Sequence, residues 1–446
     1  MMRVLEFIVA LIIVVVVAVV VGVVMPGNGH VERSLVVGKD MRQVYDVLSN
    51  FRRFPEYSVQ REYDRNIKFD FSGKPYGPGA ELSWTSQDDK VGNGKLTIAS
   101  ADPSFDKIDS TAKKSTIVWN LDNDWRGNDK HFTLDLERQG SRGQLTKITW
   151  SYDVAYGFNL INRYSSLYIH GDPDSFIQFT LNNLQNVLAS VQNVDYTKLI
   201  PYVEQTQATP VLLVSSSIER KGGLEALNDA TDKAVAEIQA AAKKLGVNVV
   251  GPRIIYTTSY GDQTYTFDVA LPISATSLNV GGQSIELTAA KAPDLAAAAA
   301  SSSSANAAEG NADNNAPGGH DRFGRLIVDN NVRAFLAFGG PALKAVWNGT
   351  AAGVPQTRDL LKAYSQTHGY KFDEVVNRFY DIKVKQGDNE KTFDEYDVYL
   401  PLTWAPEQTP EQEAGIKPPT LDEGTEQAPA AAGTAAAPAS AATTAQ

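Results

Sequence analysis

The sequence contains no cysteine at all. Disulfides, zinc–thiolate sites, iron–sulfur clusters and cysteine nucleophiles are excluded by that absence. Histidine is nearly as scarce. His30, His131, His170, His320 and His368 are scattered, with no pair at the i, i+4 spacing that ligates a metal from one helix face. No metal or cofactor is expected. There is no Gly-x-Ser-x-Gly elbow and no phosphate loop of the Gly-x4-Gly-Lys-Ser/Thr type. Basic residues do not dominate either: 41 Lys and Arg stand against 52 Asp and Glu, a net charge of −11. A protein that tracks the phosphates of nucleic acid is therefore not expected. Much of the acidity lies in 405–446, where one lysine faces six carboxylates.

What the chain does have is length and a long apolar run. Its 446 residues are enough for two or three folded units. Phe7–Val24 is uncharged and rich in Val and Ile. A helix of that length spans about 27 Å, close to the hydrocarbon thickness of a bilayer. In lipid the backbone must satisfy its own hydrogen bonds, so helix is expected despite the β-branched content. A signal peptide has a shorter apolar core and a small-residue cleavage site, and Val23, Val24, Met25 and Pro26 provide none. Residues 1–29 are read as an uncleaved anchor in an inner membrane. Arg3 favours the amino terminus inside and the soluble part in the periplasm.

Composition divides the rest. Stretches 289–319 and 405–446 are rich in Ala, Ser, Pro and Asn or Glu, cannot offset their ordering entropy, and read as disordered. Residues 191–208 read as a linker. The expected folded units are 30–190 and 209–404. In the first, a strand at Val31–Val37 is followed by a short helix at Asp40–Leu48. Strand-like runs follow at Ala80–Trp84, Gly94–Ile98, Thr116–Leu121, His131–Glu137 and Gln144–Val154, then a long amphipathic helix at Asp172–Ser190. An antiparallel sheet curled around the last helix is expected, with a cavity between them.

Several stretches carry a resemblance: Val31-Glu-Arg-Ser-Leu-Val-Val37, Val44-Tyr-Asp-Val-Leu48, Phe54-Pro-Glu-Tyr57, Tyr76-Gly-Pro-Gly-Ala-Glu-Leu-Ser-Trp84 and Gly92-Asn-Gly-Lys-Leu-Thr-Ile98. Over about 160 residues the chain resembles the START-like superfamily, the helix-grip fold of polyketide cyclases and lipid-transfer proteins. The resemblance implies a lipid or polyketide-like ligand. Trp84, Trp119, Trp150, Tyr152 and Phe71 either line its cavity or are ordinary core.

The second unit repeats itself. Asp268-Val-Ala-Leu-Pro-Ile273 and Asp397-Val-Tyr-Leu-Pro-Leu402 each end an alternating strand. Each follows a Gly-Asp turn, an earlier strand (Pro252–Thr258, Arg378–Lys385), a helix (Glu225–Leu245, Gln356–Thr367) and an opening strand (Val211–Ser215, Val332–Phe338). The unit is β-α-β-β, twice, over 209–275 and 330–404. The alternation places Tyr265, Phe267, Val269, Leu271 and Ile273 on the helix side of one final strand. Asp268 and, in the second copy, Asp397 and Tyr399 face the groove. The pair resembles the gyrase-inhibitor-like, effector-binding domain of bacterial multidrug-responsive activators. That resemblance implies a flat, often cationic ligand held by a carboxylate among aromatics. Asp268 and Asp397 are the candidate carboxylates, with Tyr260, Trp347, Tyr399 and Trp404 as stacking groups. A solvated strand face is the alternative for both carboxylates.

The fold class is thus α+β: a helix-grip domain, a duplicated effector-binding domain and a transmembrane helix. The expected function is binding of a hydrophobic or cationic small molecule or lipid in the cell envelope. Two alternatives stand: a cyclase or hydrolase using a carboxylate such as Asp397, and a scaffold whose interiors are filled.

Overall fold

The computed structural model describes residues 2–104, 107–108, 111–141, 143–199, 201–293, 316–387 and 393–404. The tail 405–446, most of the insertion (294–315) and Asp388 of the second Gly-Asp turn lie outside them. Among the described residues the architecture is α+β, with two large antiparallel sheets each backed by helices, a separate two-stranded hairpin and one apolar helix at the amino terminus.

That helix, α1 (Met2–Val24), has the length and composition to cross a membrane, and its side chains are exposed almost throughout. Only Met25–Gly27 separate it from β1 (Asn28–Val37). Then come α2 (Met41–Leu48), the single turns α3 (Phe54–Tyr57) and α4 (Gln60–Tyr63), and strands β2 (Lys68–Gly73), β3 (Ala80–Thr85), β4 (Gly94–Asp102), β5 (Lys114–Asn123), β6 (Asn128–Gln139) and β7 (Leu145–Ala155). They form one curled sheet in the order β1-β7-β6-β5-β4-β3-β2. β2 has no counterpart among the expected strands. Asp40 caps α2 by accepting from the Arg42 N–H at 2.8 Å, a role short acidic side chains fill well.

Two short turns, α5 (Leu160–Tyr164) and a 3₁₀ turn at Ser165–Tyr168, precede the long helix α6 (Asp172–Ala189). Ile177, Leu181, Leu184 and Leu188 of α6 are buried in the same core as the inner face of the sheet. Phe179, on the same helix, is exposed.

The second sheet has nine strands. Its elements are β8 (Tyr202–Thr206), β9 (Pro210–Glu219), α7 (Gly223–Leu245), β10 (Ile254–Tyr260), β11 (Thr264–Pro272), a separate hairpin β12 (Ser277–Val280) and β13 (Gln283–Glu286), then β14 (Leu326–Ile327), β15 (Val332–Leu336), β16 (Gly340–Asn348), α8 (Val354–His368), β17 (Tyr380–Lys385) and β18 (Glu395–Pro401). The order is β14-β15-β9-β11-β10-β17-β18-β16-β8. Outward from the central β10–β17 pair, each side runs through a hairpin partner and then an opening strand. Beyond that lies the strand that precedes the other side's opening strand.

Three expectations change here. The strand that opens the second half is β16, not Val332–Phe338; β15 pairs instead with β9, Val332 opposite Val214. Residues 191–208 are not a bare linker, because β8 pairs with β16 and Val191, Tyr196 and Val203 are buried in the α8 core. The insertion's flanks are held too: the Lys291 N–H donates to Phe323 O and the Gly318 N–H to Ile327 O.

The two units meet through α2 and α8. Asp46 on α2 is fully buried and ion-paired with Arg42 at 2.9 Å. It accepts from Tyr76 Oη at 2.5 Å and from Tyr196 Oη at 2.7 Å. Tyr196 Oη also bonds Thr367 Oγ1 at 2.8 Å, and Asn50 donates to Thr367 O at 3.1 Å. His368 is stacked 3.9 Å from the Tyr364 ring and 5.3 Å from the Tyr76 ring.

Candidate functional site: a cavity on the groove face

The nine-stranded sheet has a helix face and a groove face. Tyr265, Phe267, Val269 and Leu271 of β11 and Ile273 just after it pack in the α7 core, and Tyr396, Val398, Leu400 and Leu402 in the α8 core. The period-2 alternation then sends Asp268, Asp397 and Tyr399 to the other face. There Val211, Leu213, Ile254, Ala270, Phe335, Tyr380 and Tyr399 form a separate apolar cluster.

A cavity of about 270 Å³ opens on this face. Leu213, Tyr256, Phe335 and Ala337 supply apolar wall; Asp268, Arg325 and Arg378 supply charge. Phe323, from the segment after the insertion, closes one side. Its ring lies 4.9 Å from the Arg322 guanidinium, 5.0 Å from that of Arg325 and 5.5 Å from that of Arg378. Each guanidinium lies within cation–π distance of the ring, while the three like charges oppose one another.

Asp268 is buried, and burial pushes its carboxyl up from the ordinary range. A bond from Ser215 Oγ at 2.6 Å and the guanidiniums of Arg325, 3.6 Å away, and Arg378 oppose that rise. Arg325 is itself held by Asp321 at 2.6 Å. Arg378 is different. Among the described residues it has no hydrogen-bond or ion-pair partner, only the Phe323 ring and the distant field of Asp268. Burial, with Arg325 and Arg322 nearby, holds its pKa below the usual arginine value, which leaves it charged at neutral pH. The open charge in the cavity is therefore a guanidinium, which prefers a planar anion such as a carboxylate.

The candidate residues do not converge on one site. Asp397 is engaged by Lys344 at 2.8 Å and lies 3.4 Å from Tyr399 Oη. Lys344 also binds Glu204 at 3.0 Å and lies beneath the Tyr202 and Tyr399 rings. Burial lowers the Lys344 ammonium's pKa, but its bonds to Asp397, Tyr202, Glu204 and Tyr399 outweigh that and raise it. Asp397 is thus half of a filled ion-pair cluster. Tyr399 stacks on Tyr380 at 4.7 Å. Trp347 is on the helix face, its Nε1–H donating to Thr350 O at 2.8 Å. Trp404 lies under Arg52 at the boundary between the units. The side chain of Tyr260 is outside those described.

In the first unit Trp84, Trp119, Trp150 and Tyr152 are all buried. Trp119 and Trp150 meet edge to face at 5.2 Å, Trp150 meets Phe132 at 5.7 Å, and Tyr152 meets Trp125 at 5.4 Å. They form interdigitated core rather than an open wall. Phe71 is exposed on the outer strand. The indole N–H groups of Trp84, Trp119 and Trp150 are buried with no acceptor among the described residues.

Arg325 and Arg378 were not among the sequence candidates. Arg325 lies outside the expected strands, and Arg378, the first residue of the expected strand Arg378–Lys385, precedes the observed β17. The available signal was local: Arg322-Phe323-Gly-Arg325 and Arg378-Phe379 are arginine–aromatic pairs in an acidic chain.

No protein-family model and no curated protein matches the chain. Among solved structures, the C-terminal domain of EcmrR is 7% identical, covering 46% of this chain and 99% of its own, with a TM-score of 0.29. Ara h 8.0201 is 11% identical, covering 37% of this chain and 99% of its own, with a TM-score of 0.26. Major latex-like protein 151 from Panax ginseng is 14% identical, covering 36% of this chain and 97% of its own, with a TM-score of 0.27. Likeness this distant says nothing about ligand or activity.

Proposed function

We propose that the chain is a membrane-anchored binding protein whose second unit holds a small amphipathic molecule with an anionic head in the groove-face cavity. The observation that carries this is Arg378: a half-buried guanidinium in the wall of an apolar cavity, with no hydrogen-bond or ion-pair partner among the described residues. An unpaired charge in that setting is costly to leave and is satisfied by a ligand carboxylate or similar group. The cation expected for this groove is disfavoured. Asp268 already answers to Ser215 and Arg325, and two arginines, Arg325 and Arg378, line the opening. The anchor is α1, the soluble part lies in the periplasm, and the role is sensing or sequestration.

Two copies of a β-α-β-β unit remain the reading of the second sheet. Its mirror order about β10–β17 supports that reading, with the strand before each opening strand exchanged between halves. The enzyme alternative is weakened because Asp397 has no free carboxylate to act as base; Lys344 and Tyr399 take it up.

A second site has one observation in its favour. Three buried indole N–H groups without acceptors are unusual in a packed core, since each costs about 1–3 kcal/mol unless bonded. A lipid or ordered water within the curled sheet would satisfy them. Mass spectrometry of organic extracts from the purified full chain separates the two sites. An anionic amphiphile present with the native protein and absent from Arg378→Gln supports the groove. The same ligand retained at equal amount in Arg378→Gln moves it to the first unit.

A further inference from the structure

The segment between β7 and α6 exposes an unusual set of side chains. Phe158 is 95% exposed, Ile161 65%, Leu167 65% and Tyr168 73%. All four lie within eleven residues, on one short stretch containing α5 and the 3₁₀ turn. Scattered apolar residues on a surface are ordinary, but a cluster of this size marks a contact surface.

The same stretch is fastened to α1. Tyr164 Oη donates to Ala18 O at 2.5 Å, and Arg163 donates to Val23 O at 2.7 Å. Arg163 thereby satisfies one of the carbonyls that the end of α1 leaves without a helical partner. Gly22 permits the approach, because a Cβ there would stand 3.2 Å from the Tyr164 ring and 3.4 Å from Leu160. Gly27 O accepts from the N–H groups of Tyr156 and Gly157, so the connection to the first unit is short and pinned.

Depth follows from these contacts. Ala18 precedes Val24 by six residues, or about 9 Å along a helix axis. If Val24 marks the upper end of the hydrocarbon, α5 lies beside the last turns of the span, at the depth where interfacial segments bury their apolar faces, roughly 5–10 Å. Arg163 then sits at headgroup level, and Tyr164 and Tyr168 supply the aromatic ring preferred at that boundary.

We infer that Phe158–Tyr168 is a second membrane contact, lying in the bilayer interface beside α1. It fixes the first unit end-on to the lipid. The β1 start, the β7 end and the α5 stretch face the membrane; the Leu145 end of β7 points away, roughly 33 Å off along the strand. This inference rests on α1 being a span.

The absence of native cysteine makes the test clean. Single cysteines are introduced into the full chain at Val15, Phe158, Leu167 and, as an exposed apolar control at the far end of β7, Leu145. Each carries a fluorophore, and the protein is reconstituted into phosphatidylethanolamine–phosphatidylglycerol vesicles containing nitroxide-labelled lipid. Quenching at Phe158→Cys and Leu167→Cys is expected to exceed that at Leu145→Cys several-fold and to approach that at Val15→Cys. Strong quenching at Val15→Cys with Phe158→Cys and Leu167→Cys at the Leu145→Cys level overturns the interfacial contact and leaves the span standing. Quenching at Val15→Cys no higher than at Leu145→Cys overturns both.

Discussion

Asp268 shows how one side chain's role depends on its neighbours more than on its position. Strand alternation places it toward the groove, and an acidic residue there suggests affinity for cations. The structure surrounds it with Ser215, Arg325 and Arg378, so its charge tempers the cavity's positive field and does not set its sign. Removing that charge is therefore expected to strengthen anion binding. Asp268→Asn keeps an acceptor for Ser215 while unmasking the guanidiniums. Its affinity for a small aromatic carboxylate is expected to rise several-fold by calorimetry, and a fall would place Asp268 itself on the ligand. The carboxylates were legible in the sequence because they sit on periodic strands. The arginines that answer them were not, because they arrive from loops whose position depends on long-range pairing.

Elements were legible where pattern and burial agree. The long helix α6 was foreseen from its apolar face, and β11 and β18 from their period of two. The misreading of Val332–Phe338 as an opening strand has a physical cause. It is an apolar strand, but its partner β9 is more than a hundred residues away, and nothing local distinguishes it from β16, which starts at Gly340-Pro341. β8 was missed for the same reason. At the end of α8, His368 offers an element-scale prediction. Burial pushes its imidazole down to about 4, against weaker support from Asp46 and the Tyr364 carbonyl. The unfolded chain therefore takes up a proton near pH 6.5 that the folded chain refuses until about 4. Stability contributed by neutral His368 is complete above pH 6.5 and is lost as pH falls toward 4, by up to about 3 kcal/mol. His368→Gln is expected to flatten melting temperature against pH in that window, and an unchanged slope would contradict the assignment.

The molecule as a whole is joined by a buried polar cluster instead of a flexible tether. Asp46 binds Arg42, Tyr76 and Tyr196, and through Tyr196 reaches Thr367 on α8. Around it Lys371 bonds Glu56 at 3.1 Å, and Arg53 donates to Gln366 O at 3.1 Å. Breaking a buried ion pair by removing one partner costs about 3–5 kcal/mol, since the other charge is stranded. Asp46→Ala is expected to lower the calorimetric transition and split it into two, one for each unit. A single transition, merely shifted, would mean that the units do not rely on this joint. The described core of the first unit is packed with aromatic rings, and the cavity that carries unpaired charge lies on the second unit's groove face.

The sign of the ligand's charge tests that site most directly. The full chain, reconstituted in nanodiscs, is titrated with 4-phenylbutyrate and with 4-phenylbutylamine, which share a skeleton and differ in charge. The carboxylate is expected to bind the native protein and to lose at least an order of magnitude in affinity with Arg378→Gln, about 1.4 kcal/mol or more. Preference for the amine, or carboxylate binding indifferent to Arg378→Gln, would contradict the anion-accepting groove.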